Sequence, residues 1–268
     1  MEFIKPGTHF DFVGKMKIAV GISAVLIIVS ILTVVLHGGL NFGIDFAGGT
    51  VIQIKFSKAA PADGIRKAFA GINVSDAIIQ EIGENEVIVR TNQSMTKELQ
   101  DKVEGAMTSQ FGAGQFEIRR VEFVGPKVGK DLTNKAILAI IFAWIGMLIY
   151  IAWRFEFRYG LGAIIALIHD TIIVIGVLSL LNKEFTLVIV AALLTVIGYS
   201  INDTIVVFDR IRENRKKDLK KSLGDLINSS INETLSRTIL TAFTVILVLL
   251  SLFFLGGPVI HDFAFALL

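Results

Sequence analysis

The sequence predicts an α-helical polytopic membrane protein with one α+β domain inserted between its first two spans. Hydrophobic residues make up 53% of the 268 residues and mean hydropathy is +0.67, above what an ordinary soluble domain shows. Several apolar stretches are each long enough to cross the hydrocarbon core as a helix. Between the first two of them, residues 37–134 change to charged, alternating patterns typical of a soluble fold.

Residues 1–17 form a short basic N-terminus, and the first span covers Ile18 to Leu36. Its apolar run exceeds the roughly 7–15 residues of a signal-peptide core and no A-x-A site follows, so it reads as an uncleaved anchor. Further spans follow at Ala136 to Trp153, Leu161 to Leu181, Phe185 to Phe208 and Thr238 to Leu255, all within residues 135–268. A sixth apolar segment begins near His261, and the chain stops inside it at Leu268, which reads as a truncated sixth span with His261 and Asp262 as loop or helix-cap residues.

Short flanking loops orient the bundle. Lys5, Lys15 and Lys17 precede the first span, Arg154 and Arg158 follow the second, and a basic run from Arg210 to Lys221 follows the fourth, so these sides are cytoplasmic and the inserted domain is exported. Within the loop 209–236, the basic run Arg210 to Lys221, followed by Ser222 to Ser230, reads as an amphipathic cytoplasmic helix lying on anionic membrane lipid, with docking to a channel or cytosolic motor as the alternative. A net charge of +2 gives no reason to expect nucleic acid. The chain has no cysteine and four histidines, which excludes a disulfide framework and thiolate chemistry and points to no metal site.

Within the inserted domain, Thr50 to Ser57 alternates as a strand and Pro61 to Ala70 has helical spacing. Ala77 to Ile82 and Glu86 to Thr91 form a hairpin through Gly83-Glu84-Asn85, Met95 to Phe111 is helical, and Gln115 to Val124 is the last strand. The order βαββαβ is ferredoxin-like. Nothing in it has the makings of a catalytic site. Gly43 to Thr50 (GIDFAGGT) approaches the phosphate-loop pattern but lacks the lysine and leads into a strand, so Gly48 and Gly49 instead permit a close backbone turn. With Pro126 at the domain's exit, they are candidate hinge residues.

The informative polar residues lie in the spans. Asp203 sits about 8 Å inside the cytoplasmic end of the fourth span, where a carboxylate costs roughly 2.5–3.5 kcal/mol at mid-depth and faces a bundle interior or polar path. Tyr199, Ser200, Asn202 and Thr204 surround it in sequence. The fifth span rises from the same side carrying Glu233, Arg237, Thr241 and Thr244 on one face, so Asp203 and Arg237 share a leaflet. A movement that parts them would switch the acid between ionised and protonated forms, as a proton carrier requires; a fixed ion pair serving assembly, or an arginine snorkelling to headgroups, is the alternative. His169 and Asp170, deep in the third span, read equally as a proton relay or a structural polar pair.

Five segments together resemble one family: GIDFAGGT after the first span, VEFVGPKVG before the second, ALIHD in the third, GYSINDTIVVFDRIREN at the end of the fourth and NETLSRT entering the fifth. They are similar to the SecF family, in the resistance-nodulation-division superfamily. The resemblance spans nearly the whole chain. It implies a six-span half of a twelve-helix unit in the bacterial inner membrane, with a periplasmic domain and a homologous SecD-like subunit. It further implies a late role in protein export through the SecYEG channel, driven by protons without any cofactor, with a YajC-like small subunit and an unfolded preprotein as further partners and no enzymatic reaction. By matching position, Asp203 and Arg237 would lie on the proton path, with Asn202, Tyr199, Thr241, Asp170 and His169 as weaker candidates; another acid would come from the SecD-like chain. A proton-driven exporter of small molecules or lipids and a proton-inert assembly factor remain the alternatives.

Overall fold

The apolar stretches form helices that run well past the predicted spans at their polar ends. The computed structural model describes residues 9–58, 62–74, 77–82, 85–94 and 96–268. Among the described residues five long helices are apolar enough to cross a membrane: α1 (Met16–Leu36), α5 (Pro126–Arg154), α6 (Phe157–Leu180), α7 (Leu187–Lys217) and α8 (Leu223–Leu255). Between α1 and α5 lie α2 (Ile44–Ala47), β1 (Gly49–Phe56), α3 (Ala62–Gly71), β2 (Ile78–Glu81), β3 (Glu86–Thr91), α4 (Lys97–Phe111) and β4 (Phe116–Val124), and α9 (Pro258–Leu267) follows α8.

The chain divides into two compact units, residues 42–136 and the remainder. In the first, the antiparallel sheet has the order β2-β3-β1-β4, the ferredoxin-like topology expected from βαββαβ. Strand residues alternate as the pleat requires: Ile52, Ile54 and Phe56 of β1 and Val87 and Val89 of β3 are buried, and they pack with Ile65 and Phe69 of α3 and Val103 and Met107 of α4. Most residues of β4 stay partly exposed, and a register shift at Gln53/Ile54 interrupts its pairing with β1. The expected Gly83-Glu84 turn, Pro61 and Met95 lie outside the described residues.

Helix α4 begins where local chemistry places it. Thr96 accepts a hydrogen bond from the Leu99 amide at 3.2 Å, and Glu98 takes one from Lys102 Nζ at 2.6 Å one turn on. That bond, and then the Lys102 charge, hold the Glu98 carboxyl below the usual range. Because the folded value is lowered, this stabilisation is present above the ordinary glutamate range and fades as pH falls through the folded value. Thr96→Ala is expected to cost about 1 kcal/mol, read as roughly five-fold faster amide exchange in the first turn of α4. Acidification should lower the protection factors there, taken relative to the slower intrinsic exchange at low pH, in the wild type and less so in Glu98→Gln.

In the membrane unit α6 packs on α1 and α7, α7 on α8, and α9 on both α7 and α8. Gly176 of α6 lies where the buried Ser30 of α1 fills the space of a missing Cβ, a small-residue contact that brings the two backbones close. Ile151, Ala163, Leu167, Ile197 and Ile201 form a core joining α5, α6 and α7.

Two expectations are corrected. Loop 209–236 holds no separate amphipathic helix: α7 continues to Lys217, and after a short break at 218–222 α8 runs unbroken from Leu223, so the basic segment forms the arms of a helical hairpin. The arms are tied by Asn214 Nδ2 to Ser230 Oγ (3.1 Å) and Glu233 Oε2 (3.0 Å), and by Arg210 Nε to Glu233 (3.5 Å). Side-chain caps at Ser222 and i,i+4 pairing such as Lys217–Glu213 (2.7 Å) favour this continuation over a turn at the membrane surface. His261 and Asp262 are neither loop nor cap: Gly257 is the N-cap of α9, both residues lie within the helix, and the His261 ring stacks on Phe253 at 4.2 Å.

Candidate functional site

Asp203 occupies the middle of α7, a helix held by apolar packing on the side that faces α6 through Ile197 and Ile201. The Asp203 side is different. It opens on a cavity of about 290 Å³ that also takes in Tyr199, Ser200 and Asn202 of α7, Thr241, Ala242 and Val245 of α8, and Leu267 and Leu268. Asp203 is half-buried and makes no hydrogen bond or ion pair within 4.0 Å among the described residues. Arg237 is carried by the neighbouring α8. The Arg237 side chain is exposed, and its carbonyl accepts the Thr241 hydroxyl at 2.9 Å.

The structure thus brings Asp203, Asn202, Tyr199 and Thr241 to one cavity, with Arg237 one helical turn from Thr241. Tyr199 is 49% exposed and Asn202 is exposed, so this polar side has no cover within the chain. Only 6% of the apolar window of α8 is buried. Charged side chains within membrane spans usually face a bundle interior or a polar path.

Asp170 and His169 form a second cluster joined to the first. Asp170 Oδ2 accepts the Ser200 hydroxyl at 2.6 Å across α6 and α7, and Asp170 Oδ1 lies 2.9 Å from His169 Nδ1. His169 Nε2 is buried without a hydrogen-bond partner among the described residues. Ser200 therefore links Asp170 to the cavity of Asp203. Sequence reasoning placed Ser200 beside Asp203 but did not see this link, because helix spacing shows neighbours within α7 and not the register of α6. Asp170→Leu should loosen the α6–α7 contact by on the order of 1 kcal/mol, lowering thermal stability, whereas Asp170→Asn, which still accepts from Ser200, should not.

The hinge candidates Gly48, Gly49 and Pro126 lie together. Gly48 and Gly49 have φ of +77° and +114°, and a Cβ on Gly48 would stand 3.2 Å from Pro126 Cα. On Gly49 it would stand 2.6 Å from the Thr91 carbonyl oxygen. The GIDFAGGT segment is a single helical turn, α2, leading directly into β1, which leaves no helix N-terminus for a phosphate after the glycines. Among the described residues no group of three or more His, Asp or Glu could hold a metal ion.

These two positions, the glycine pair and the polar α7–α8 face, fall within two family models. Residues 34–60 match the SecD/SecF GG motif, and residues 103–268 match the C-terminal region of the protein export membrane proteins SecD/SecF. The chain belongs to the SecD/SecF family. Its relatives are on the SecF side: protein translocase subunit SecF of Magnetococcus marinus is 48% identical over 100% of this chain and 88% of its own length. The SecF of Calditerrivibrio nitroreducens is 47% identical over 100% of this chain and 90% of its own. Among solved structures, SecDF of Thermus thermophilus, a translocon-associated membrane protein, superimposes with a TM-score of 0.86 at 35% identity over 97% of this chain. SecDF in a super-membrane-facing form gives 0.70 at 35% identity. The chain spans 36% of the length of either SecDF chain.

Proposed function

We propose that this SecF-family chain is one half of a proton-driven protein-export unit, working with a SecD-like chain in the bacterial inner membrane. The observation that supports the reading is the placement of Asp203 of α7 in a cavity that α8 lines with Thr241, one helical turn from Arg237. A SecD-like chain supplies the cover, and a further acid from that chain completes the path. The N-terminus and the α7–α8 hairpin lie in the cytoplasm, by the concentration of Lys and Arg at that end, and the ferredoxin-like domain lies in the periplasm.

In this mechanism Asp203 is ionised while the Arg237 charge is near and takes up a proton when the two part. Each elementary charge moved across the membrane gains about 2.3 kcal/mol per 100 mV, enough for a few protons to drive a two-state element. Asn202, Tyr199 and Thr241 supply hydrogen bonds along the cavity, and Ser200 connects it to Asp170 and His169. The carrier needs no cofactor and catalyses no covalent reaction. Movement transmitted at the joint of Gly48, Gly49 and Pro126 would act on an unfolded preprotein leaving the SecYEG channel, with a YajC-like small subunit in the same assembly. Proton flux linked to export, measured in membrane vesicles carrying Asp203→Asn or Arg237→Met, tests the reading: undiminished flux in both variants would remove it and leave an assembly role.

A further inference from the structure

The geometry points to a binding site for one anionic phospholipid in the groove at the basic end of the helix bundle, between the α5–α6 connection and the α7–α8 hairpin. The groove has a volume of about 880 Å³ and is lined by Arg158, Arg212, Arg215 and Lys216 among others, with Glu156 as its one carboxylate. The lining also carries an aromatic cluster of Phe155, Tyr159 and Phe208, with Phe208 edge to face against both of the others and 4.9 Å from Tyr159 between ring centroids.

The cations at this end of the bundle fall into two sets. Three outside the groove are paired with carboxylates: Arg154 with Asp209 at 3.1 Å, Arg210 with Glu213 at 3.0 Å, and Lys217 with Glu213 at 2.7 Å. Those lining it are not. Among the described residues Arg158, Arg215 and Lys216 make no hydrogen bond or ion pair through their side chains, and Arg212 gives only a bond to the Arg154 carbonyl at 3.4 Å. A cluster of unneutralised cations around a concave surface calls for an anion. The aromatic lining, and the position at the end of the apolar run of α7, call for acyl chains on the same ligand. A phospholipid with a net negative headgroup has both parts at the spacing that the membrane boundary imposes; free phosphate satisfies only the first.

Gly162 offers a way to separate the two parts. It lines the groove, and a Cβ there would meet nothing within 4 Å, so a leucine fills part of the groove without disturbing the helix or the charges. The experiment is native mass spectrometry on the full chain, extracted with any partner it retains, titrated with phosphatidylglycerol or phosphatidylcholine of matched acyl chains. The wild type is expected to hold one phosphatidylglycerol at least ten-fold more tightly than phosphatidylcholine, and inorganic phosphate should not displace it. The triple variant Arg158→Gln, Arg215→Gln, Lys216→Gln should weaken that binding by about 100-fold, at roughly 1 kcal/mol per cation near the membrane surface. Gly162→Leu should also weaken it, whereas Lys217→Gln, outside the groove, should not. Equal retention of the two lipids, displacement by phosphate, or charge dependence unaltered by Gly162→Leu would overturn the proposal. Retained partner and unchanged melting temperature show that each variant is folded.

Discussion

Asp203→Asn is expected to reduce proton-dependent export by at least about ten-fold while the protein still assembles in the membrane. Asparagine keeps the shape of the side chain and its ability to hydrogen-bond, but it cannot take up and release a proton. Since Asp203 makes no hydrogen bond or ion pair among the described residues, little packing is lost by the change. Arg237→Met should give a similar loss for the opposite reason: without the guanidinium, nothing on α8 favours the ionised acid, and the carboxyl remains protonated through the cycle. Asp203→Glu, which keeps the titrating group one methylene further out, should retain part of the activity. Export driven by a proton gradient across inverted vesicles distinguishes these variants, with ATP-driven export through the same channel as the control.

The second large effect is structural. Gly49→Ala should destabilise the ferredoxin-like domain by roughly 3 kcal/mol or more. The backbone there has φ of +114°, and the added methyl would stand 2.6 Å from the Thr91 carbonyl oxygen, which belongs to the strand paired with β1. Gly38 provides the comparison. It also has positive φ, at +72°, but a Cβ there meets nothing within 4 Å, so Gly38→Ala should cost only the conformational part, about 1 kcal/mol. Limited proteolysis of residues 42–136 in the intact protein should show rapid cleavage for Gly49→Ala and near wild-type resistance for Gly38→Ala.

Much of this architecture was legible because its signals are local. The strand β3 was expected at Glu86 to Thr91 and is found there, since alternating Val87 and Val89 face the core. The spans were located by their apolar runs, but the ends of α5, α7 and α8 on their polar flanks were not. Hydropathy marks where lipid ends, whereas α5 begins ten residues before the expected span and α8 begins at Leu223, because polar residues continue a helix as readily as apolar ones do. The basic loop was misread for the same reason: Arg210 and Asn214 reach across to Glu233 on the opposite arm, and such pairing depends on the hairpin's register.

The site shows the same division. Depth in an apolar stretch singled out Asp203, and antiparallel topology led to Arg237, both from the sequence. The hydrogen bond between Ser200 and Asp170 could not be found that way, since it depends on how α6 is rotated against α7. Nor could the groove cations be told apart from their paired neighbours in the same basic run. That required knowing which of them face Asp209, Glu213 and Glu233.

Infrared difference spectroscopy of the reconstituted assembly, recorded with and without an imposed proton gradient, tests the account most directly by reporting the protonation of one carboxyl group. A protonated-carboxyl band that appears under the gradient, is absent in Asp203→Asn and is present without a gradient in Arg237→Met is the predicted result. A carboxyl at Asp203 that stays in one protonation state under all these conditions would contradict it and would make the Asp203–Arg237 pair a fixed element of assembly.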